Sequence, residues 1–368
     1  MSTTSTEPTI HLDAPDGAPD PDAVERVAER LLQTYTDGIV GLMIDLAART
    51  GLLETLAAHP GTSQDLADRA DLVERYVREC LGSLVTAGIV DYEPETAIYA
   101  LPPAHAACLT GDGSGNLAPL ARIGTLLARH VVDVERAFRE GGGVPYEAFR
   151  PEFTEAMDGL SRGLFDEQLI DAIVPMAPEL PVRLEQGIAA IDIGCGTGHS
   201  TNVLARAYPR STFVGYDLSD EALDRGRAEA ADWGLDNVRF EVLDLVELAP
   251  SLPVDAVFAF DVVHDQAEPA TVLERVRAAL ASDGVFVMMD TKASSDLEAN
   301  VANPLAPLLY GVSTLHCMTV SLARDGAGLG TVWGEELARR MLADAGFAHV
   351  DVHDVPDDPL DSVYVARR

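Results

Sequence analysis

The sequence is nearly without lysine. Of its 26 basic residues only Lys292 is one, and they face 60 aspartates and glutamates, leaving a net charge of −34. So negative a chain excludes nucleic acid and anionic membrane as expected partners, because neutralising phosphates needs a basic patch. A GC-rich genome, which favours arginine and Asp-Ala-Gly-rich sequences, accounts for this balance; so does a salt-adapted host with an acidic proteome, where screening removes the self-repulsion. Cysteine is also scarce. Cys80, Cys108, Cys195 and Cys317 form no C-x-x-C pair and no zinc spacing, which predicts free thiols in a reducing compartment. No apolar run reaches the roughly 18 to 20 residues of a membrane span, and no basic segment precedes an apolar one at the N-terminus. A soluble, cytoplasmic protein is expected.

What is present is a large apolar fraction, 47% of 368 residues, enough for two domains of ordinary size. Residues 1–20 are the exception: rich in Thr, Pro and Asp, they are expected to stay disordered. Residues 21–115 then read as a mostly helical first domain. Apolar positions at helical spacing run from Val24 to Leu56, with Gly51 as a stop. Thr62 serves as an N-cap with Asp65 three positions on, opening a short helix; a longer helix to Ala87 stops at Gly88; two short strands, Ile89–Tyr92 and Ile98–Leu101, follow. Helix, turn, helix and hairpin make a winged helix. From Thr62 to Glu95, Arg69, Arg75 and Arg78 are outnumbered by eight acidic residues, so binding to DNA is not expected. The surplus of apolar helix, as at 37–48, predicts packing against a second copy. Residues 116–186 read as a helical connector, broken at Gly141–Gly143, that roofs the following domain.

Residues 187–368 alternate short apolar runs with amphipathic helices, at about 199–207, 219–233 and 268–281. This predicts an α/β fold, a doubly wound Rossmann-like parallel sheet. Its first strand-to-helix turn is "IAAIDIGCGTGHS". A dinucleotide site needs G-x-G-x-x-G, and the third position here is His199. The glycines instead fall as Gly194, Gly196 and Gly198 behind Asp192, a pattern suited to close backbone approach by an amino-acid moiety and a sulfonium. Asp217 closes the next run, where it can accept from both ribose hydroxyls. Asp244 closes the third, within reach of an adenine amino group.

This order, D-x-G-x-G-x-G followed by Asp217 and Asp244, resembles the class I S-adenosylmethionine-dependent methyltransferases. "FAFDVVHDQAEPATVLERVRAAL" resembles the strand-four end of the winged-helix small-molecule O-methyltransferases, and "RYVRECLGSLVTAGIVDYEPETAIYALPPAHAA" and "NPLAPLLYGVSTLHCMTVSLARDGAGLGTVWG" resemble a bacterial and archaeal branch of them. The resemblance implies a methyltransferase sheet, an N-terminal dimerisation domain and S-adenosylmethionine as cofactor. It implies cofactor contacts at Asp192, Gly194, Cys195, Gly196, Gly198, Asp217, Leu218, Asp244, Leu245 and Asp261, with Cys195 a small side chain that fits. The methyl acceptor would be a small molecule, with oxygen the expected atom. A tryptophan common after the His-Asp pair is Gln266 here, so the shape of the acceptor pocket does not carry over. His264 is the candidate general base, with a wall of the cofactor pocket as the alternative role. Asp265 follows it, but neighbours on an extended strand point to opposite sides, so no bond between them is assumed. His316 and Met318 are candidate lid residues on an apolar segment, with core packing as the alternative, and no Asp and Asn pairing points to a metal. A cofactor-sensing regulator without catalysis is the competing function.

Overall fold

A computed structural model describes residues 19–356 and 358–368. Residues 1–18 of the expected disordered tail lie outside the described residues.

Helix α1 (Pro21–Arg49) starts where Asp20 accepts from the Asp22 amide and Pro21 takes the first helical position. Its C-terminal part packs on α4 and α6, but Val24, Val27, Leu31, Leu32, Tyr35 and Ile39 are exposed. After Gly51 come α2 (Leu52–Ala58) and α3 (Ser63–Ala70). Thr62 and Asp65 cap α3 reciprocally, a box contributing about 1 kcal/mol. Helix α4 (Glu74–Thr86) stops before Gly88, and the hairpin β1 (Asp91–Glu93) and β2 (Ile98–Ala100) completes the winged helix. Its core gathers Leu53, Leu66, Leu81 and Leu84.

Next come α5 (Pro103–Leu109), α6 (Ala118–Ala128), α7 (Val131–Glu140) and α8 (Glu152–Leu164), which continues into a π-helical stretch, Phe165–Ile173, before α9 (Leu180–Gln186). The break falls after Glu140, at the Gly141–Gly143 turn.

The second half alternates β3 (Ala189–Ile193), α10 (His199–Ala207), β4 (Thr212–Asp217), α11 (Asp220–Asp232), β5 (Val238–Val242), β6 (Val254–Phe260), α12 (Pro269–Ala279) and β7 (Leu280–Thr291). Helices α13 (Leu297–Asn300), α14 (Ala306–Leu315), α15 (Cys317–Leu322) and α16 (Gly334–Asp344) follow, then β8 (His349–Asp354) and β9 (Asp361–Arg367). The seven strands lie in the order β5-β4-β3-β6-β7-β9-β8. The first five are parallel; β9 enters antiparallel to both β7 and β8. The sheet is therefore not wholly parallel, as the alternation had suggested.

Successive residues feed opposite cores. Ile191, Ile193, Val257 and Phe286 point to one side, and Ala190, Phe213, Phe258 and Val287 to the other. Helices covering both faces explain why these strands read as unbroken apolar runs. Strand order reverses between β3 and β6, so their carboxyl ends open a crevice there.

Candidate active site

The crevice widens into a cavity of about 440 Å³. Strand-end residues of the sheet wall one end and the connector helices with α14 and α15 wall the other. Gly194 has φ +64°, and a Cβ there would lie 2.0 Å from Val262 Cγ2, so only glycine fits between β3 and the end of β6. Gly196 (φ +55°) differs: the nearest atom to a Cβ would be Thr154 Cγ2 at 3.9 Å, which leaves its backbone open to the cavity. Asp217 binds the turn from the next strand, accepting from the Gly196 amide at 2.9 Å and from the Ser219 amide at 2.8 Å. Burial raises its carboxyl above the ordinary value.

Of the residues expected at a cofactor, Gly194, Cys195, Gly196, Asp217, Leu218, Asp244, Leu245 and Asp261 line the cavity, together with His264. Asp192 and Gly198 do not. Asp192 is buried behind the turn and accepts from the Ser200 and Thr201 hydroxyls, both at 2.7 Å, holding the start of α10. Burial pushes its carboxyl up to about 7. A Cβ on Gly198 would meet the Phe240 ring at 2.3 Å, so this glycine serves packing. His316 lines the cavity, and Met318 is not among the residues that do.

His264 stands on a 3₁₀ turn, Val263–Asp265, rather than on extended strand. That turn brings the two side chains together: His264 Nε2 lies 3.2 Å from Asp265 Oδ1. On the other side Nδ1 lies 2.7 Å from Asp290 Oδ1, which also accepts from Trp333 Nε1 at 3.0 Å and the Thr291 amide at 2.8 Å. Burial would depress the imidazole, but Asp290 and Asp265 outweigh it and hold His264 well above its ordinary value. Asp290 went unnoticed in the sequence, although it ends the apolar run "GVFVMMD" as Asp217 ends its own.

Among the described residues, two sets of side chains have ligand atoms within 4.8 Å of one another: His264, Asp265 and Cys317, and Asp261, His264 and Asp290. Burial raises the Cys317 thiol to about 11, so it is a protonated thiol, and it accepts from Thr331 Oγ1 at 3.0 Å.

The connector is tied to the sheet domain by a polar cluster. Glu229 Oε1 accepts from Arg162 Nη1 at 2.7 Å and lies 3.0 Å from His199 Nδ1, while Asn202 Nδ2 donates to Oε2 at 2.9 Å. Burial would raise this carboxyl; those three partners outweigh it and lower it to about 2. Because the folded value is depressed, the stabilisation is complete above about pH 4.5 and is lost as pH falls towards 2. Glu229→Gln should cost about 2–4 kcal/mol in urea unfolding at pH 7, with the gap to the parent closing as pH approaches 2.

Residues 184–346 match the family model described as a methyltransferase domain, and residues 38–111 match the Rv2258c-like winged HTH domain. Curated relatives include trans-aconitate 2-methyltransferases. The one from Azoarcus sp. (strain BH72) is 34% identical over 29% of this chain and 40% of its own. The one from Methylobacterium radiotolerans is 30% identical over 36% and 46%. The chain thus spans less than half the length of these relatives. Similar solved structures include the mitomycin 7-O-methyltransferase MmcR, at 19% identity with a TM-score of 0.70, covering 94% of this chain and 100% of that one. Human N-acetylserotonin methyltransferase in complex with S-adenosylmethionine is 17% identical with a TM-score of 0.68, covering 92% and 97%. At such identity the likeness shows the fold. Residues 184–346 are a methyltransferase domain, residues 38–111 a winged-helix domain, and together they adopt the fold of the O-methyltransferases.

Proposed function

We propose that the protein transfers a methyl group from S-adenosylmethionine to a hydroxyl of a small molecule. The observation that carries this reading is the turn itself: glycines shaped against Val262 and open at Gly196, with Asp217 beside them at the end of the next strand. The residues fit the cofactor. The open backbone at Gly196 admits its amino-acid part, Asp217 has lone pairs left for two ribose hydroxyls, and Asp244 stands at the next strand end for the adenine amino group. Leu218, Leu245 and Asp261 wall the same end. When bound, S-adenosylmethionine supplies a methyl on a positively charged sulfur, with a neutral thioether as leaving group.

The chain must position the hydroxyl, exclude water and take its proton. His264 is the base in this account: Asp290 fixes the ring through Nδ1 and leaves Nε2 facing the cavity side, where Asp265 waits. A hydroxyl seated at Nε2 displaces the Asp265 contact and delivers its proton there as the new carbon–oxygen bond forms. The high affinity of His264 for protons favours that transfer but holds the resting imidazole protonated near neutrality, so turnover should rise with pH.

The acceptor is uncharged or cationic. Among the described lining residues Arg324 is the only guanidinium, and it already lies 3.1 Å from Glu147 and 3.7 Å from Asp244. Asp158, Asp265 and Glu268 line the cavity as well. A tricarboxylate such as trans-aconitate therefore finds no unpaired guanidinium among these residues and three carboxylates beside it, and the relatives' named substrate is not expected to be turned over. Calorimetry tests the cofactor reading: S-adenosylhomocysteine should bind, NAD⁺ should not, and the reverse result rejects it.

The protein works as a homodimer through α1. Six exposed apolar side chains over four turns leave the N-terminal half of this helix without a core, an apolar face of the kind that marks an interaction site. A second copy covers it. Leu31→Glu with Ile39→Glu should convert a dimer to a monomer in light scattering; a parent protein that is already monomeric contradicts the assignment.

A further inference from the structure

Helices α14 and α15 meet at His316, where the backbone leaves helical geometry (φ −137°, ψ −80°), and this residue is part of the cavity wall. The residue is 1% exposed, and aromatic neighbours fix the position of its ring. Phe153 stacks on it with centroids 3.8 Å apart and planes 16° apart, and Phe149 and Tyr146 meet it edge-on at 4.6 and 6.1 Å. Yet neither ring nitrogen has a hydrogen-bond partner among the described residues. Leaving a buried polar group unpaired is destabilising. An apolar side chain could fill this box without that cost.

The surroundings also indicate which nitrogen carries the proton. Asp265 Oδ2 lies 3.9 Å from Nδ1, too far for a bond but close enough to favour a proton on that side. Burial lowers the imidazole to about 4, so it is neutral at physiological pH. A neutral ring protonated at Nδ1 presents Nε2 as an acceptor. So weak a base is poorly suited to take the hydroxyl proton, a task that falls to His264.

We propose that His316 is a specificity residue that binds a second polar group on the acceptor. Its Nε2 accepts a hydrogen bond from a neutral O–H or N–H donor distinct from the atom that is methylated. This inference rests on the methyltransferase reading and narrows it: the acceptor carries two polar groups, one seated at His264 and one read by His316. A carboxylate in the second position would be repelled by Asp265.

The test uses the full chain saturated with S-adenosylhomocysteine, titrated calorimetrically with the dihydroxynaphthalene isomers and with 1- and 2-naphthol. At least one diol should bind tenfold or more tightly than both naphthols. In His316→Phe, which keeps an aromatic ring in the box, that preference should disappear while the affinities for the naphthols and for S-adenosylhomocysteine stay the same. Equal binding of diols and naphthols by the parent protein overturns the inference. So does a preference that survives in the variant, a loss of naphthol and diol affinity together, or no naphthalene binding at all to the loaded protein. Failure of S-adenosylhomocysteine to bind, in contrast, rejects the methyltransferase reading on which the inference rests.

Discussion

His264→Ala should lower turnover by about 10²–10⁴-fold while leaving the affinity for S-adenosylhomocysteine within a factor of two. The expected size follows from the task. A positioned base removes the proton of the acceptor hydroxyl as carbon–oxygen bonding develops, and His316 is a poor replacement, since burial lowers it to about 4. Full turnover by the variant would reduce His264 to a wall of the pocket. The pH profile separates the two roles further. Asp290 and Asp265 together raise the His264 imidazole, so the deprotonated fraction, and with it the rate, grows tenfold per pH unit until that value is passed. Asp265→Asn removes one of the two carboxylates and should move the rising limb to lower pH. A profile unchanged by this substitution would mean that His264 does not titrate in the rate.

Asp217→Ala should weaken cofactor binding by about 10²-fold or more. Two effects add in the same direction. Charge-assisted bonds to two ribose hydroxyls are lost, at about 1.5–3 kcal/mol each. The Gly196 amide also loses the acceptor at 2.9 Å that shapes the turn. Asp217→Asn keeps an acceptor oxygen without the charge and should fall between. Calorimetry with S-adenosylhomocysteine measures all three proteins, and an alanine variant that binds like the parent would remove Asp217 from the site.

Much of this arrangement was legible in the sequence because the signals are local. Thr62 with Asp65, and Gly88 after a helical run, mark helix ends that depend only on neighbouring backbone. The apolar runs ending in Asp217 and Phe260 mark strands covered on both faces. Strands β8 and β9 escaped notice: "HVDVHD" alternates apolar with charged side chains at the sheet edge, and its antiparallel partner follows it after a short loop. Asp192 and Gly198 lie off the cavity for a related reason. Both belong to the glycine motif, but Ser200, Thr201 and Phe240 decide what they touch, and a pattern read along the chain does not contain those contacts. The acceptor end was the least legible. Phe153 comes from the connector and His316 from the kink between α14 and α15, more than 150 positions apart, and only the fold stacks them.

The central claim is that the crevice opened by the carboxyl ends of β3 and β6 holds a sulfur-containing nucleoside. A crystal structure with S-adenosylhomocysteine tests it most directly. The account predicts the amino-acid part against the Gly194–Gly196 backbone, the ribose hydroxyls on Asp217, the adenine beside Asp244 and Leu245, and the sulfur facing His264. A nucleoside seated anywhere else, or hydroxyls that leave Asp217 untouched, would contradict it.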